Sequence, residues 1–113
     1  MKSTTTEYGD IKVLHLEGKI TIGEGDVQLR GLVNEVLDGG ARRIILDLAK
    51  VKYIDSSGIG ELVSCYTTIT NRGGKMKLTN LHSKIYSLLQ LTALVSVFEI
   101  YDSNEDAVQS YEQ

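Results

Sequence analysis

The sequence predicts an α/β domain: a small mixed, mostly parallel sheet carrying about four helices. After residue 20, short apolar runs alternate with amphipathic stripes of helical period, the pattern of strands joined by crossover helices. Proline is absent, and glycines fall between those segments as their punctuation. With 113 residues, 42% of them hydrophobic and 24% charged, the chain is ordinary for a globular protein. Folding can bury roughly two-thirds of its surface, enough for one core. No repeat, low-complexity tract or linker divides it, so residues 1–113 read as one domain.

Each element follows from local pattern. Ser3 to Tyr8 is rich in threonine and reads as an edge strand, closed by a Gly9-Asp10 turn. Ile11 to Glu17 puts Leu14 and Leu16 on one side and Ile11, Val13 and His15 on the other, as in a strand covered on both faces at one end. Asp26 to Leu37 carries Leu29, Leu32, Val33, Val36 and Leu37 at helical spacing, with Asp26 as the cap and Gly39-Gly40 as the stop. Arg43 to Leu48 is a short apolar run, a buried parallel strand. A helix from about Ser56 to Arg72 has the stripe Ile59, Leu62, Val63, Tyr66 and Ile69 and ends at Gly73-Gly74. Lys75 to Thr79 is a strand, Ser83 to Leu91 a helix, Val97 to Tyr101 a strand, and Ser103 to Tyr111 a helix with capping-box spacing between Ser103 and Asp106. The expected core includes Leu14, Leu16, Leu32, Val36, Ile45, Leu62, Tyr66, Leu78 and Leu88.

Composition excludes several functions. Twelve Lys and Arg against fifteen Asp and Glu give a net charge of −3, a poor basis for tracking nucleic-acid phosphates. The single cysteine, Cys65, cannot form an internal disulfide, which fits a reducing compartment. One cysteine and two distant histidines do not make a metal site at the usual spacings, and no metal or cofactor is expected. Met1 to Thr6 lacks the apolar run of a signal peptide, and no segment approaches the ~18 apolar residues of a membrane span. A cytoplasmic location follows as an expectation.

One segment breaks the local rules: Tyr53-Ile54-Asp55-Ser56-Ser57-Gly58-Ile59-Gly60-Glu61, between a strand and a helix. Loops of this kind form the carboxyl edge of an α/β sheet, where ligands and partners bind. Asp55 and the serines can cap the free N–H groups of the helix start. Gly58 and Gly60 each cost a helix about 1 kcal/mol relative to alanine. Either another backbone or a partner approaches closely there, or the loop needs unusual dihedrals. A phosphate on a serine at a helix start is favoured by the dipole and opposed by Asp55; it would chiefly change the charge on this edge. The Gly23-Glu24-Gly25-Asp26 turn either leads into its helix or rims the same edge as Ser56.

Enzymatic readings fail on the residues. Gly58-x-Gly60-x-x-Val63 lacks the third glycine of a dinucleotide fingerprint, and the strand ending Leu78-Thr79-Asn80 supplies no acid for a ribose. Neither Ser56 nor Ser57 lies in G-x-S-x-G, and His15 and His82 read as surface or edge residues, not bases. Cys65 reads as semi-buried packing. The scattered tyrosines make no base-stacking platform.

At Asp47-Leu48 … Tyr53-Ile54-Asp55-Ser56-Ser57-Gly58-Ile59-Gly60 the chain resembles the STAS family, and within it the bacterial anti-sigma factor antagonists. Leu14-x-Leu16-x-Gly18, Arg43 to Leu48, Arg72-Gly73-Gly74-x-Met76-x-Leu78 and Leu88-Leu89-x-Leu91-Thr92-x-Leu94 with Phe98-Glu99-Ile100 extend the resemblance over nearly the whole chain. It implies a single STAS-type domain that catalyses nothing itself. It implies binding to an anti-sigma factor that is also a serine kinase, with release of a sigma factor. Phosphorylation maps to Ser56, not Ser57, and a PP2C-type phosphatase would reverse it. The expected partner-binding residues are Asp55, Ser56, Ser57, Gly58, Ile59, Gly60, Thr21 and Glu24. Many members carry Glu-(Leu/Ile)-Asp after the glycine of the second strand; Gly18-Lys19-Ile20-Thr21 replaces both acids. Some STAS proteins serve instead as scaffolds or transporter-associated modules, the alternative reading.

Overall fold

In the computed structural model, which describes residues 1–112, five strands form one sheet in the order β1-β2-β3-β4-β5. The strands are β1 (Lys2–Tyr8), β2 (Ile11–Ile20), β3 (Arg43–Ile54), β4 (Lys75–Thr79) and β5 (Glu99–Tyr101). The β1-β2 pair is antiparallel, as its two-residue turn demands, and the other three pairings are parallel. The helices are α1 (Asp26–Asp38), α2 (Ser56–Asn71), α3 (Ser83–Leu91) and α4 (Asn104–Tyr111), with a 3-10 turn at Leu94–Ser96.

The period of two along each strand sorts the core into two layers. Leu14, Leu16, Ile44, Leu46, Leu48 and Leu78 face α1, α2 and α3. Ile11, Val13 and Ile45 face the other way, onto Ala107 and Tyr111 of α4. The Tyr111 hydroxyl lies 2.8 Å from the carbonyls of both Ile44 and Lys75, which ties α4 to the sheet. Burial pushes its phenol well up from the usual tyrosine range, by more than the neighbouring Arg43 charge offsets.

Four expectations need correction. The third strand continues from Leu48 to Ile54, because Val51 and Ile54 still point inward while Lys50, Lys52 and Tyr53 point out. That extension pairs with Glu17 to Ile20 of β2 through two register shifts. The last strand begins at Glu99, not Val97, since Val97 closes the 3-10 turn. Helix α1 is capped by Gly25, not Asp26; Gly25 holds φ +90° and its backbone N–H donates to Gln28 Oε1. Finally, Leu32, Val36, Tyr66 and Leu88 are half-buried at the margin of the core, while Leu14, Leu16, Ile45, Leu62 and Leu78 are fully inside. Helix α1 buries only Leu29, Val33 and Leu37 completely, a stripe narrower than its apolar spacing predicts.

A polar network lies on the α4 face of the sheet. Asp47 Oδ2 accepts from His15 Nδ1 (2.7 Å) and Asn104 Nδ2 (3.0 Å); Oδ1 accepts from Asn80 Nδ2 and the Ala49 amide, both at 3.0 Å. With Nδ1 donating, the Nε2 of a neutral His15 ring accepts from Thr6 of the edge strand (2.9 Å). One carboxylate therefore joins β2, β3, the end of β4 and the start of α4. Burial raises the cost of ionising it, but the hydrogen bonds from Asn104, Ala49, Asn80 and His15 outweigh that cost and hold its pKa below the ordinary aspartate value.

Two measurements check this packing. Leu62 is completely buried, so Leu62→Ala should lose about 2–5 kcal/mol in urea denaturation; a loss under 1 kcal/mol would show that α2 presents a different face. For Asp47, a folded pKa below the unfolded one means that its contribution is complete above the unfolded value of about 3.9 and is lost as pH falls through the folded pKa. Asp47→Asn should cost about 1–3 kcal/mol at neutral pH. The gap between the variant and the parent should then close below about pH 4. A gap unchanged by acid would contradict an ionised Asp47.

Candidate functional site

The carboxyl ends of β2 and β3 place the site. Asp55 is the N-cap of α2, with extended backbone and its Oδ1 accepting from the Gly58 amide at 2.9 Å. Its Oδ2 accepts from the Ile22 amide at 3.2 Å, which draws the 21–25 turn onto the start of α2. These bonds, the Gly58 amide first, hold the Asp55 carboxyl below the ordinary aspartate range, so a full negative charge sits beside Ser56.

Ser56 is the first helical residue and is exposed; Ser57 is half-buried. The following two residues turn inward. A Cβ on Gly58 would fall 2.0 Å from the Ile20 carbonyl oxygen and 2.6 Å from Ile54 Cγ1, so the backbone of α2 rests directly on the end of β2. Its φ is not in the left-handed region, and close approach rather than an unusual dihedral is the reason for glycine here. Ile59 is buried behind it. Gly60 is different: it is exposed, and a Cβ there would meet nothing within 4 Å. The two glycines that look alike in sequence have different surroundings.

The turn is the other half of the site. Thr21 and Glu24 exchange backbone hydrogen bonds of 2.7 and 3.0 Å, and the Thr21 hydroxyl donates to the Glu24 carbonyl at 3.2 Å. Gly25 could not be another residue, because a Cβ would lie 2.1 Å from the Lys19 carbonyl oxygen. The Gly23 to Asp26 segment thus leads into α1 and also rims the edge beside Ser56. Of the eight residues expected at this site, Thr21, Glu24, Asp55, Ser56, Ser57 and Gly60 reach the surface in one neighbourhood. Gly58 and Ile59 lie beneath them and shape it.

Sequence reasoning passed over two features. Ile22 is 76% exposed and Val27 61%, apolar side chains left in water on the turn and on the first turn of α1. An isoleucine inside a Gly-rich acidic turn was the available signal. The second is an ion pair: Glu61, only 3% exposed, accepts from Arg30 Nη2 (2.5 Å) and Nε (3.0 Å). It fastens α1, which carries Val27, to α2, which carries Ser56. No local pattern links residues so far apart in the chain. Cys65, one turn beyond Glu61, is fully buried, not semi-buried; burial and then the Glu61 charge push its thiol up to about 12 and leave it unreactive.

His15 and His82 are committed elsewhere, His15 to Asp47 and Thr6 and His82 Nε2 to the Ala49 carbonyl at 2.7 Å. Among the described residues no helix is long and apolar enough to cross a membrane.

Comparison with known proteins agrees with this architecture. An anti-sigma F factor antagonist from Paenibacillus polymyxa is 27% identical over 110 residues, covering 90% of this chain and 94% of the relative. An anti-sigma-B factor antagonist from Bacillus subtilis is 32% identical over 100 residues, 88% of this chain and 89% of the relative. Among solved structures, the Thermotoga maritima protein TM1081 superimposes with a TM-score of 0.90 at 25% identity, over 98% of this chain and 95% of the other. Phosphorylated SpoIIAA of Bacillus shares the fold, with a TM-score of 0.73 at 18% identity over 99% and 100% of the two chains. The STAS domain family matches residues 2–107, nearly the whole described chain, and this protein belongs to that family.

Proposed function

We propose that this protein is an anti-sigma factor antagonist whose binding is switched at Ser56. It binds an anti-sigma factor that is a serine kinase of the histidine-kinase-like ATPase fold, and so frees a sigma factor. The kinase transfers phosphate to Ser56, binding stops, and a PP2C-type phosphatase restores it. The protein acts by binding and not by catalysis.

The observation that carries this reading is the exposed Ser56 hydroxyl at the first position of α2, directly after a cap already ionised and hydrogen-bonded. A phosphate there needs no rearrangement of the core. It adds about −1.5 to −2 of charge to a surface that already presents Asp55 and Glu24. Ile22 and Val27 supply the apolar contact that a partner would cover, and the charge at Ser56 would desolvate poorly beneath it. The names of the curated relatives support the same role. Lys19 and Thr21 stand where many relatives are expected to carry acids, so the kinase that fits this edge has a less basic complementary surface.

Incubation with the cognate kinase and ATP tests the switch. Stoichiometric phosphate on Ser56 by mass spectrometry is expected, with Ser56→Ala binding the kinase constitutively and Ser56→Asp binding at least tenfold more weakly. Phosphate on Ser57 or Thr21 would relocate the switch. No phosphate at all, with binding intact, would favour the scaffold or transporter-associated reading.

The two glycines give a second test. Gly58→Ala should destabilise the protein by about 1–3 kcal/mol, since a methyl must displace β2 backbone. Gly60→Ala should keep its melting temperature or raise it, alanine being the better helix former by about 1 kcal/mol. Its affinity for the kinase should nevertheless fall, through a methyl in the interface. A Gly60→Ala protein that melts several degrees lower and binds normally would remove Gly60 from the interface.

A further inference from the structure

The opposite end of the sheet holds a second site. Where β3 and β4 begin, the end of α4 leaves a cleft of about 450 Å³ lined by Arg43, Lys75, Lys77, Ser110 and Tyr111, with the Gly73-Gly74 backbone beside them. It lies on the α4 face, in the cross-sheet row Val13–Ile45–Lys77–Glu99, whose first two members are buried hydrophobics.

Lys77 is the unusual member. Its side chain is only 3% exposed, and an ammonium so placed pays a desolvation cost that partners must offset. An ammonium has three N–H groups. Among the described residues one of them has an oxygen at hydrogen-bond distance, the Ser110 hydroxyl at 2.5 Å. The Ser110 hydroxyl in turn lies 2.6 Å from the Ala107 carbonyl. The Lys77 nitrogen also stands 4.0 Å from the centre of the Tyr111 ring and 5.3 Å from that of Tyr101. Glu99 is the carboxylate beside it, at 3.8 Å, and it is shared with Lys75 at 3.3 Å. One carboxylate thus serves two ammonium groups and closes on neither as a short bond.

The mouth of the cleft adds to the charge. Arg43 lies over Tyr111, 5.9 Å from the ring centre, and reaches Asp10 only at 3.6 Å. Arg42 also borders the cleft, though its Nη1 is occupied by the Leu37 and Ala41 carbonyls. Four cations therefore gather on one cleft, with Asp10 and Glu99 as the nearby acids, in a chain whose net charge is −3.

We propose that this cleft binds a small molecule bearing a phosphate or pyrophosphate group. Lys77 and Lys75 act as point charges, the Arg43 fork pairs with two phosphate oxygens, and the Ser110 hydroxyl completes the cradle. The space suits a ligand of a few hundred Å³ and not a polymer. The site lies at the far end of the strands from Ser56 and is independent of the switch proposed there.

The test is amide-resolved NMR titration of the full chain with inorganic phosphate, pyrophosphate and ribose 5-phosphate, against sodium chloride at matched ionic strength. Saturable shifts at residues 73–77 and 107–111 are expected, with pyrophosphate tighter than phosphate. Lys77→Met should weaken binding at least tenfold without loss of fold. Should that variant not fold, the exposed pair Arg43→Gln with Lys75→Gln must produce a comparable loss. Ribose 5-phosphate tighter than phosphate would assign an organic phosphate, and equal affinity free phosphate; both uphold the site. Shifts that never saturate, shifts centred on residues 55–58, or unchanged affinity in the folded variants would each overturn it.

Discussion

The close contact between Gly58 and the Ile20 carbonyl is the constraint on which the site depends. It lets the first turn of α2 rest on the end of β2 with no side chain between them. The Asp55 cap then falls within reach of both the Gly58 amide and the Ile22 amide. Two short backbone segments, one following β2 and one following β3, are thereby held by a single carboxylate. Ser56 is left on top, outside the packing, because the residues that must be inside follow it. A modification can be read by a partner and ignored by the core only if the hydroxyl and the packing residues are separated in this way.

The rest of the molecule holds those two segments still. The Arg30–Glu61 pair joins α1 to α2 on one face, and the Asp47 network joins β2, β3 and α4 on the other. The first pairs an exposed Arg30 with a buried Glu61, so loss of the arginine would leave a buried carboxylate unpaired; the pair also fixes where Val27 stands relative to Ser56. The second is more demanding. Its carboxylate accepts from four protein donors, so loss of the carboxylate leaves all four without their acceptor.

Much of this was legible in the sequence, and the exceptions have physical causes. Elements with a clear period and glycine or serine boundaries, such as residues 75–79, 83–91 and the helix beginning at Ser56, read correctly to within a residue. The β3 extension did not, because Lys50, Lys52 and Tyr53 face solvent and break the apolar run although the backbone goes on pairing. The width of the α1 stripe was overestimated, since periodicity counts apolar residues and not the neighbours available to cover them. Gly58 and Gly60 were indistinguishable as letters; only the position of Ile20, brought close by the sheet, separates them. The same holds for Lys77, which sits in an ordinary strand pattern and becomes unusual when α4 closes over it.

A charge on Ser56 should alter the surface and leave the fold alone. The most direct test is to install phosphoserine at position 56 and compare amide spectra of the two forms residue by residue. Shifts confined to residues 20–27 and 54–60 are expected, with the amides around Asp47 and α4 unmoved. Shifts that spread through the sheet to residues 43–47 and 104–111 would contradict this, since they would mean that the phosphate acts by repacking the domain.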